Sequence, residues 1–394
     1  MNRLGAIVLV IALSPVAVIA QAPAGNAAAP STATPPAAAP RRQGPPPILS
    51  PEVHADRTVV FRLRAPDAKK VTVSGEWPGG EKAMTKDDQG VWSITVGPLE
   101  PDLYGYGFSV DGFRTLDPSN SAVKPMRSPT TSILEIPGAP ALPHEFTDVP
   151  HGTVRMHAYR SKSLDKNRGL YVYTPPDYDR SPNKRYPVLY LFHGSGDNEA
   201  TWTVLGRSNL ILDNLIAAGK AKPMVIVMTD GHAAPPQPPP AAGAPATPNR
   251  NTEAFQRDLL EDVMPFVEAS YRVQTTAQGR AIVGLSMGGG QSLTIGLTHP
   301  NLFAYVGGFS SAVRDPEKTL GSALSDPKAT NAKFKLIWIG CGKDDFLIQA
   351  NRDFSELLKQ RGIKHELVVT EGNHSWPVWR RYLAQFAPLL FQGQ

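Results

Sequence analysis

From about residue 140 onward, short apolar segments alternate with longer segments of helical periodicity, and this alternation constrains the fold more than any other feature. The apolar segments are RGLYVYTP, YPVLYLFHG, PMVIVMTDG, RAIVGLS, AYVGGFS, KLIWIGCG and HELVVTEG. The helical segments include SNLILDNLIAAGK, EAFQRDLLEDVMPFVEASY, QANRDFSELLKQRG and WPVWRRYLAQFAPLLF. Strands that are apolar along their whole length, with helices between them, are typical of a mainly parallel sheet covered on both faces. The sequence therefore predicts an α/β domain over residues 145–394.

A different pattern precedes this domain. Short runs rich in β-branched and aromatic residues, such as TVVFRLRAP, KKVTVSGEW, GVWSITV and LYGYGFSVDG, are separated by Gly, Pro and Asp. Regularly spaced short strands without helical periodicity indicate a small all-β sandwich, which we assign to residues 48–138. Trp77, Trp92 and Tyr106 are candidates for a sugar platform, but a place in the core is the simpler interpretation of each.

Three further segments have the composition of chain outside a packed core. Residues 1–20 combine a basic start, an apolar stretch and small residues before Gln21, the pattern of a secretory signal peptide. A membrane anchor is the competing interpretation, but a Ser-Pro step interrupts the apolar stretch. Residues 21–47 form an Ala/Pro-rich linker, and a Pro-rich insert occupies residues 233–248. We expect a secreted or periplasmic protein without stable membrane insertion.

Charge and cysteine content exclude other classes. The formal net charge is +5 over 394 residues, and Lys and Arg are scattered along the chain, so nucleic-acid binding is not predicted. Cys341 is the only cysteine, so no intramolecular disulfide can form. We expect Cys341 to be a small buried side chain. The sequence leaves the oligomeric state open.

A G-x-S-x-G segment, GLSMG, lies in the α/β domain with Ser286 at its centre. It follows a short apolar strand and precedes a predicted helix, which is the context of a nucleophile elbow. The flanking glycines allow a sharp turn that exposes the serine, and the helix N-terminus favours developing negative charge. The alternative is a Gly-rich helix start with an N-cap serine.

A serine hydroxyl needs a base to act as a nucleophile. His374, in VVTEGNHSWP, is the histidine near the C-terminus that lies in a loop directly after a strand. The acid that orients it should follow the preceding strand, where KLIWIGCGKDDF offers Asp344 and Asp345. Strand alternation and the spacing from Gly342 favour Asp345, which would hold the imidazole tautomer and stabilise the imidazolium.

Acyl transfer also requires backbone donors for the oxyanion. The amide of Met287 is one candidate, and the loop in YLFHGSGDNEATW offers a second from Ser195 or Gly196. Trp202 and Trp376 are candidates for lining an acyl or sugar pocket, with a role as ordinary core aromatics as the alternative. His193 is expected to be structural, packing under the loop, and no metal or cofactor is required.

In combination, the motifs YLFHGSGDNEATW, GLSMGGGQS, IWIGCGKDDF and EGNHSWPVWRRYL resemble the feruloyl esterases of the esterase-D-like carbohydrate esterases, which have the α/β-hydrolase fold. The resemblance covers about residues 155–390. It implies Ser286 as nucleophile, Asp345 as acid and His374 as base. The preceding FRLRAPDAKKVTVSGEW and LYGYGFSVDG resemble, more weakly, the immunoglobulin-like carbohydrate-binding modules of glycogen-branching enzymes.

This resemblance implies a secreted carboxylester hydrolase whose partner is an acylated polysaccharide or oligosaccharide of the plant cell wall. Feruloyl esters are the leading substrates, with acetyl xylan as an alternative. An acyltransferase would keep the fold and pass the acyl group to a sugar instead of water. A non-catalytic carbohydrate-binding protein is the alternative of another class, and a peptidase shares the same chemistry.

Overall fold

The computed structural model describes residues 47–235 and 250–393 of the chain. The described residues from Ile48 onward belong to one structural unit. The predicted signal peptide, all but the last residue of the predicted linker, and the Pro-rich insert beyond residue 235 lie outside the described residues. Within the described ranges, no helix has both the length and the apolar character needed to cross a membrane.

Residues 52–136 form antiparallel sheets with no helix. The strands are β1 (Glu52–Val53), β2 (Val59–Arg64), β3 (Val71–Gly75), β4 (Lys82–Ala83), β5 (Thr85–Lys86), β6 (Val91–Val96), β7 (Asp102–Val110), β8 (Phe113–Thr115) and β9 (Ser132–Ile136). One sheet has the order β1-β2-β6-β5, the other β4-β3-β7-β8, and β9 also pairs with β7. Both sheets contribute to one aromatic core, as expected for the predicted sandwich.

The three aromatic residues considered as a sugar platform belong to this core. Trp77, Trp92 and Tyr106 are all buried. The Trp77 ring lies 5.4 Å from that of Phe61 and 6.4 Å from that of Tyr106. Their rings fill the space between the two sheets, so none of them presents a flat face to a ligand.

An eight-stranded sheet follows. Its strands are β10 (Thr153–Ser161), β11 (Lys166–Thr174), β12 (Val188–Phe192), β13 (Val225–Thr229), β14 (Arg280–Leu285), β15 (Tyr305–Phe309), β16 (Leu336–Gly342) and β17 (Glu366–Thr370). The order is β10-β11-β13-β12-β14-β15-β16-β17, and β12 to β17 are parallel. Every residue of β12 to β15 is buried, which explains their apolar sequences. The antiparallel edge strand β10 was not predicted from the sequence, because polar and apolar residues are mixed along it.

Helices pack on both sides of this sheet. They are α1 (Thr201–Val204), α2 (Ser208–Ala217), α3 (Arg250–Arg257), α4 (Met264–Ser270), α5 (Met287–Thr298), α6 (Pro316–Thr319), α7 (Gly321–Ser325), α8 (Pro327–Lys333), α9 (Ile348–Gln360) and α10 (Trp376–Phe386). Short 3-10 turns cover Ala277–Gly279 and Ala387–Leu389. The predicted helix over EAFQRDLLEDVMPFVEASY is divided by a π-helical turn, Asp258–Val263. Pro265 follows it and has no N–H for the regular helical pattern.

Candidate active site

Ser286 occupies the sharp turn between β14 and α5, where the G-x-S-x-G segment places it. Its backbone has φ +52° and ψ −117°, a combination that residues with a side chain rarely adopt. A Cβ atom on Gly284 would come within 2.5 Å of the Gly288 backbone, and one on Gly288 within 2.4 Å of the His193 carbonyl oxygen. Both glycines are therefore required by lack of space, and the turn they allow puts Ser286 at the carboxyl end of β14.

A continuous chain of hydrogen bonds joins the three residues predicted as nucleophile, base and acid. His374 Nε2 lies 3.0 Å from Ser286 Oγ. On the other side of the ring, His374 Nδ1 lies 2.9 and 3.0 Å from the two carboxylate oxygens of Asp345. His374 follows β17 and Asp345 follows β16, so the carboxyl ends of neighbouring parallel strands bring the three side chains together. With Nδ1 donating to the carboxylate, Nε2 is free to accept a proton from the serine.

The environment of Asp345 keeps it ionised. Burial by itself would raise the pKa of this carboxyl group, but hydrogen bonds from His374, the Leu347 amide and Ser310 outweigh it and lower the pKa below its ordinary value. The Leu347 N–H donates to Asp345 Oδ1 at 2.8 Å. Asp344, the alternative acid, is exposed. Of the two carboxylates, only Asp345 contacts the histidine.

Two backbone amides in the segments next to Ser286 have no hydrogen-bond partner among the described residues. Met287 is the first residue of α5, where an N–H has no intrahelical acceptor. A Cβ atom on Gly194 would lie 3.4 Å from Ser286 Cβ, so the loop after β12 adjoins the serine. The Ser195 amide makes no hydrogen bond among the described residues, whereas the Gly196 amide donates to His232 Nε2 at 3.2 Å. Of the two predicted donors in this loop, Ser195 therefore has the freer N–H, because the Gly196 N–H is engaged by His232; the oxyanion role of either amide stays a prediction.

Two histidines, His193 and His232, form hydrogen bonds with the backbone of this loop. His193 is buried, and its Nε2 accepts the Gly231 N–H at 2.8 Å, as expected for a structural residue. Burial, together with the neighbouring His193, lowers the pKa of His232 to about 4. His232 is thus a neutral imidazole at neutral pH, and its unprotonated Nε2 can accept from Gly196.

The two tryptophans predicted to line a pocket do not do so in this structure. Trp202 and Trp376 are each 1% exposed. Their rings meet edge to face, with centroids 5.0 Å apart, and Trp202 Nε1 donates to the Phe192 carbonyl oxygen at 2.9 Å. This prediction is corrected because both rings fill the core behind the loops, the alternative that the sequence left open.

An open cleft of about 690 Å³ lies next to the Ser195 loop. Its walls include residues from distant parts of the chain, none of them identified from the sequence: Met126, Arg127, Ser128, Asn251 and Arg314. Phe346 was also missed. It is 75% exposed, and its ring centroid lies 4.4 Å from that of His374. An aromatic residue directly after the acid in GCGKDDF is the signal that could have revealed it.

Cys341 is fully buried, as predicted, and burial raises the pKa of its thiol to about 12. It lies on β16 and takes no part in the hydrogen-bonded chain described above. Within residues 47–235 and 250–393, no group of three or more His, Cys, Asp or Glu side chains is arranged to hold a metal ion.

Comparison with known families gives the chain its place. Residues 161–390, more than half of the chain, match the family described as "Putative esterase". The chain belongs to this esterase family. Residues 49–126 of the esterase match a second family, "Carbohydrate-binding module 48 (Isoamylase N-terminal domain)". The predicted family, and an immunoglobulin-like all-β domain before the hydrolase fold, are confirmed.

Curated relatives of this esterase carry related names. It is 34% identical over 350 residues to an endo-1,4-beta-xylanase/feruloyl esterase of Xylanibacter ruminicola, covering 87% of the chain and 46% of that protein. It is 34% identical over 189 residues to an esterase of Mycobacterium tuberculosis, covering 46% of the chain and 34% of that protein. The chain thus spans half or less of the length of these relatives.

Solved structures agree with the fold. A ferulic acid esterase of Anaeromyces mucronatus in complex with ferulic acid is 26% identical, with a TM-score of 0.53, over 63% of this chain and 93% of that one. The enterobactin esterase of Shigella flexneri is 20% identical, with a TM-score of 0.61, over 85% of this chain and 93% of that one. At this lower identity, the second likeness concerns the fold alone.

Proposed function

We propose that the protein hydrolyses carboxylic esters through an acyl-enzyme formed on Ser286. The observation that carries this proposal is the hydrogen-bonded chain from Ser286 Oγ through His374 to Asp345, with distances of 3.0 and 2.9 Å. A serine in a strained elbow, a histidine within hydrogen-bond reach and a buried carboxylate that orients the histidine are the parts that acyl transfer needs.

In the proposed first step, Ser286 Oγ attacks the ester carbonyl carbon while His374 Nε2 takes the hydroxyl proton. Asp345 remains a carboxylate throughout, which its lowered pKa favours, and stabilises the imidazolium. The Met287 and Ser195 amides donate to the negative oxygen of the tetrahedral intermediate. The intermediate collapses when His374 protonates the departing alcohol, which leaves the acyl group on Ser286. Water activated by His374 then releases the acid and restores the serine.

For the substrate, we propose feruloyl esters of plant cell-wall polysaccharide, with acetyl esters as the alternative. The names of the Xylanibacter and Anaeromyces relatives support the aromatic acyl group. The cleft of about 690 Å³ falls in the size range of small-molecule sites and leaves room for an aromatic acid. The secretory pattern at residues 1–20 supports action outside the cytoplasm, where such polymers occur.

The test is hydrolysis of methyl ferulate and of p-nitrophenyl acetate by the wild-type protein, Ser286→Ala and a matched control, Ser325→Ala. Ser325 is an exposed serine outside the site. We expect Ser286→Ala to lose ferulate turnover by several orders of magnitude, up to about 10⁶-fold, and Ser325→Ala to keep it. Undiminished turnover by Ser286→Ala would refute the mechanism.

The same assay separates the substrates and the remaining alternatives. Turnover of acetate alone would indicate a deacetylase. Turnover of neither ester by the wild-type protein would leave the acyltransferase and the binding protein. Product analysis with a competing sugar acceptor identifies the acyltransferase, and labelling of Ser286 by a fluorophosphonate excludes a binding protein without a reactive serine.

A further inference from the structure

The loop between β8 and β9 of the sandwich is paired with the loop that carries Ser195. The Arg127 N–H donates to the Gly196 carbonyl oxygen at 3.0 Å, and Met126 forms an antiparallel bridge with Asp197. These backbone bonds join the sandwich directly to the loop that lines the candidate active site. The position of the Ser195 amide therefore depends on residues about 70 positions earlier in the chain.

A buried ion pair reinforces this pairing. Lys124 Nζ lies 2.7 Å from Asp197 Oδ1, with the two side chains 14% and 4% exposed. Burial raises the pKa of Asp197, and Lys124 acts in the opposite direction. An unpaired charge at such a depth is costly, so the pair holds Asp197, and the loop next to Ser195, against the sandwich.

The sandwich also contacts the loop that carries His374. Trp376 is the first residue of α10, and its N–H donates to Glu76 Oε1 at 2.9 Å. Ser375, at the N-cap, makes no capping bond with its own side chain, so Glu76 supplies the acceptor that a helix start requires. The other oxygen, Glu76 Oε2, accepts the Gly105 N–H at 2.6 Å, which fixes the carboxylate to β7.

Lys124 links the two contacts. Its ammonium group lies 2.7 Å from Asp197 and 5.6 Å from the centroid of the Trp376 ring. Its charge also acts on the Glu76 carboxyl group, whose pKa burial raises and Lys124 lowers. One cation of the sandwich thus lies between the Ser195 loop and the His374 loop.

We propose that Lys124 and Glu76 are positioning residues for catalysis: they hold the Ser195 amide and the His374 ring at the positions relative to Ser286 that catalysis requires. The inference rests on the proposed function and deepens it, because it makes the sandwich a component of the active site in addition to any role in binding sugars. A second anchor, the buried Arg380 bonded to Asp102 at 2.6 Å, joins the sandwich to α10 independently of Lys124.

The experiment compares Lys124→Met, Lys124→Arg and the control Lys69→Met, an exposed lysine of the sandwich, in the full chain. Steady-state kinetics on methyl ferulate give kcat and KM, and thermal unfolding gives Tm. For Lys124→Met we expect kcat to fall about 10- to 100-fold, somewhat less than the loss of a whole oxyanion donor, with KM changed less than about twofold. Lys124→Arg should recover most of kcat, and Lys69→Met should match the wild-type protein.

Inhibition by phenylboronic acid, which forms a tetrahedral adduct with an active serine, provides a second readout. If Lys124 positions the oxyanion loop, inhibitor affinity should fall by a factor similar to that in kcat. A lower Tm with unchanged kcat and unchanged inhibition would overturn the inference, because that is the signature of a residue that only stabilises the fold. A rise in KM at constant kcat would overturn it too.

Lys124→Met leaves the Asp197 carboxylate buried without its partner and can fail to fold, so the double variant Lys124→Met/Asp197→Asn is measured as well. It removes both charges, and its kcat should remain low while the protein is folded; wild-type kcat in the double variant would refute the inference. If the wild-type protein hydrolyses no ester, the proposed function fails separately. The rate of Ser286 labelling by a fluorophosphonate, compared between wild type and Lys124→Met, then tests the positioning role.

Discussion

Replacing Asp345 by asparagine tests the proposed mechanism at the residue for which the sequence offered two candidates. In the structure, His374 Nδ1 lies 2.9 and 3.0 Å from the two carboxylate oxygens, and one of these oxygens accepts the Leu347 N–H at 2.8 Å. An asparagine can keep the bond from Leu347 through its carbonyl oxygen. Its NH₂ group then faces Nδ1, which must accept instead of donate.

The consequence is a change of tautomer. With Nδ1 as acceptor, the ring proton moves to Nε2, the atom 3.0 Å from Ser286 Oγ. Nε2 can then no longer accept the serine proton, and the imidazolium loses its neighbouring negative charge. When this change is made in a serine hydrolase triad, kcat falls on the order of 10⁴-fold, which corresponds to about 5.5 kcal/mol of transition-state stabilisation.

The assay is kcat for methyl ferulate at neutral pH, with KM and Tm measured in parallel. We expect Asp345→Asn to lose kcat by about this factor, with KM little changed. Asp344→Asn is a matched control one residue away, because Asp344 is exposed and does not contact His374. Wild-type kcat in Asp345→Asn, or a comparable loss in Asp344→Asn, would contradict the assigned roles.

Two further predictions concern the junction between the sandwich and α10. Arg380→Met leaves the Asp102 carboxylate without its bond of 2.6 Å, so the free energy of unfolding in urea should fall by about 3–5 kcal/mol. The control is Arg381→Met: Arg381 is half-exposed and lies 3.8 Å from Asp102, so its replacement should lower the free energy of unfolding by less than about 1 kcal/mol. Equal losses in the two variants would argue against a buried pair. His144 is buried at the same junction, with its Nε2 3.4 Å from Asp102 Oδ1, and burial lowers its pKa to about 4. The unfolded chain therefore binds the extra proton, and stability should fall as pH decreases from about 6.5 to 4, by at most about 3 kcal/mol. His144→Gln should flatten this part of the plot of stability against pH, and an unchanged plot would refute the lowered pKa of His144.

The contacts between the sandwich and the α/β domain affect which fragments of the chain are suitable for experiments. Backbone bonds, a buried ion pair and a helix cap all pass from the sandwich to the loops around Ser286. Arg380 adds a further buried connection, since it donates to the Leu205 carbonyl oxygen as well as to Asp102. A fragment that begins at the α/β domain would leave these polar groups without partners. We therefore expect studies of catalysis to require the full chain.

The features that the sequence determined are those with a local physical cause. Continuous apolar runs predicted the parallel strands, because such strands are buried on both faces. The spacing of Gly284, Ser286 and Gly288 predicted the elbow, and the structure has no room for a Cβ atom at either glycine. His374 and Asp345 could be paired with the serine because each follows a parallel strand. The carboxyl ends of such strands lie at one edge of a sheet, so position along the chain implies proximity in space.

Tertiary structure decided the features that depend on contacts between distant segments. The sequence placed Ser195 and Gly196 in the same loop, but it did not show that the Gly196 N–H would bond to His232, 36 positions later. Trp202 and Trp376 looked like pocket residues, yet each buries the other. The pairing of Lys124 with Asp197 was equally hidden, because a charged residue in a loop carries no local sign of the partner it will meet. Periodicity and steric constraints act between near neighbours, whereas the burial and pairing of individual polar groups are settled only when separate elements pack together.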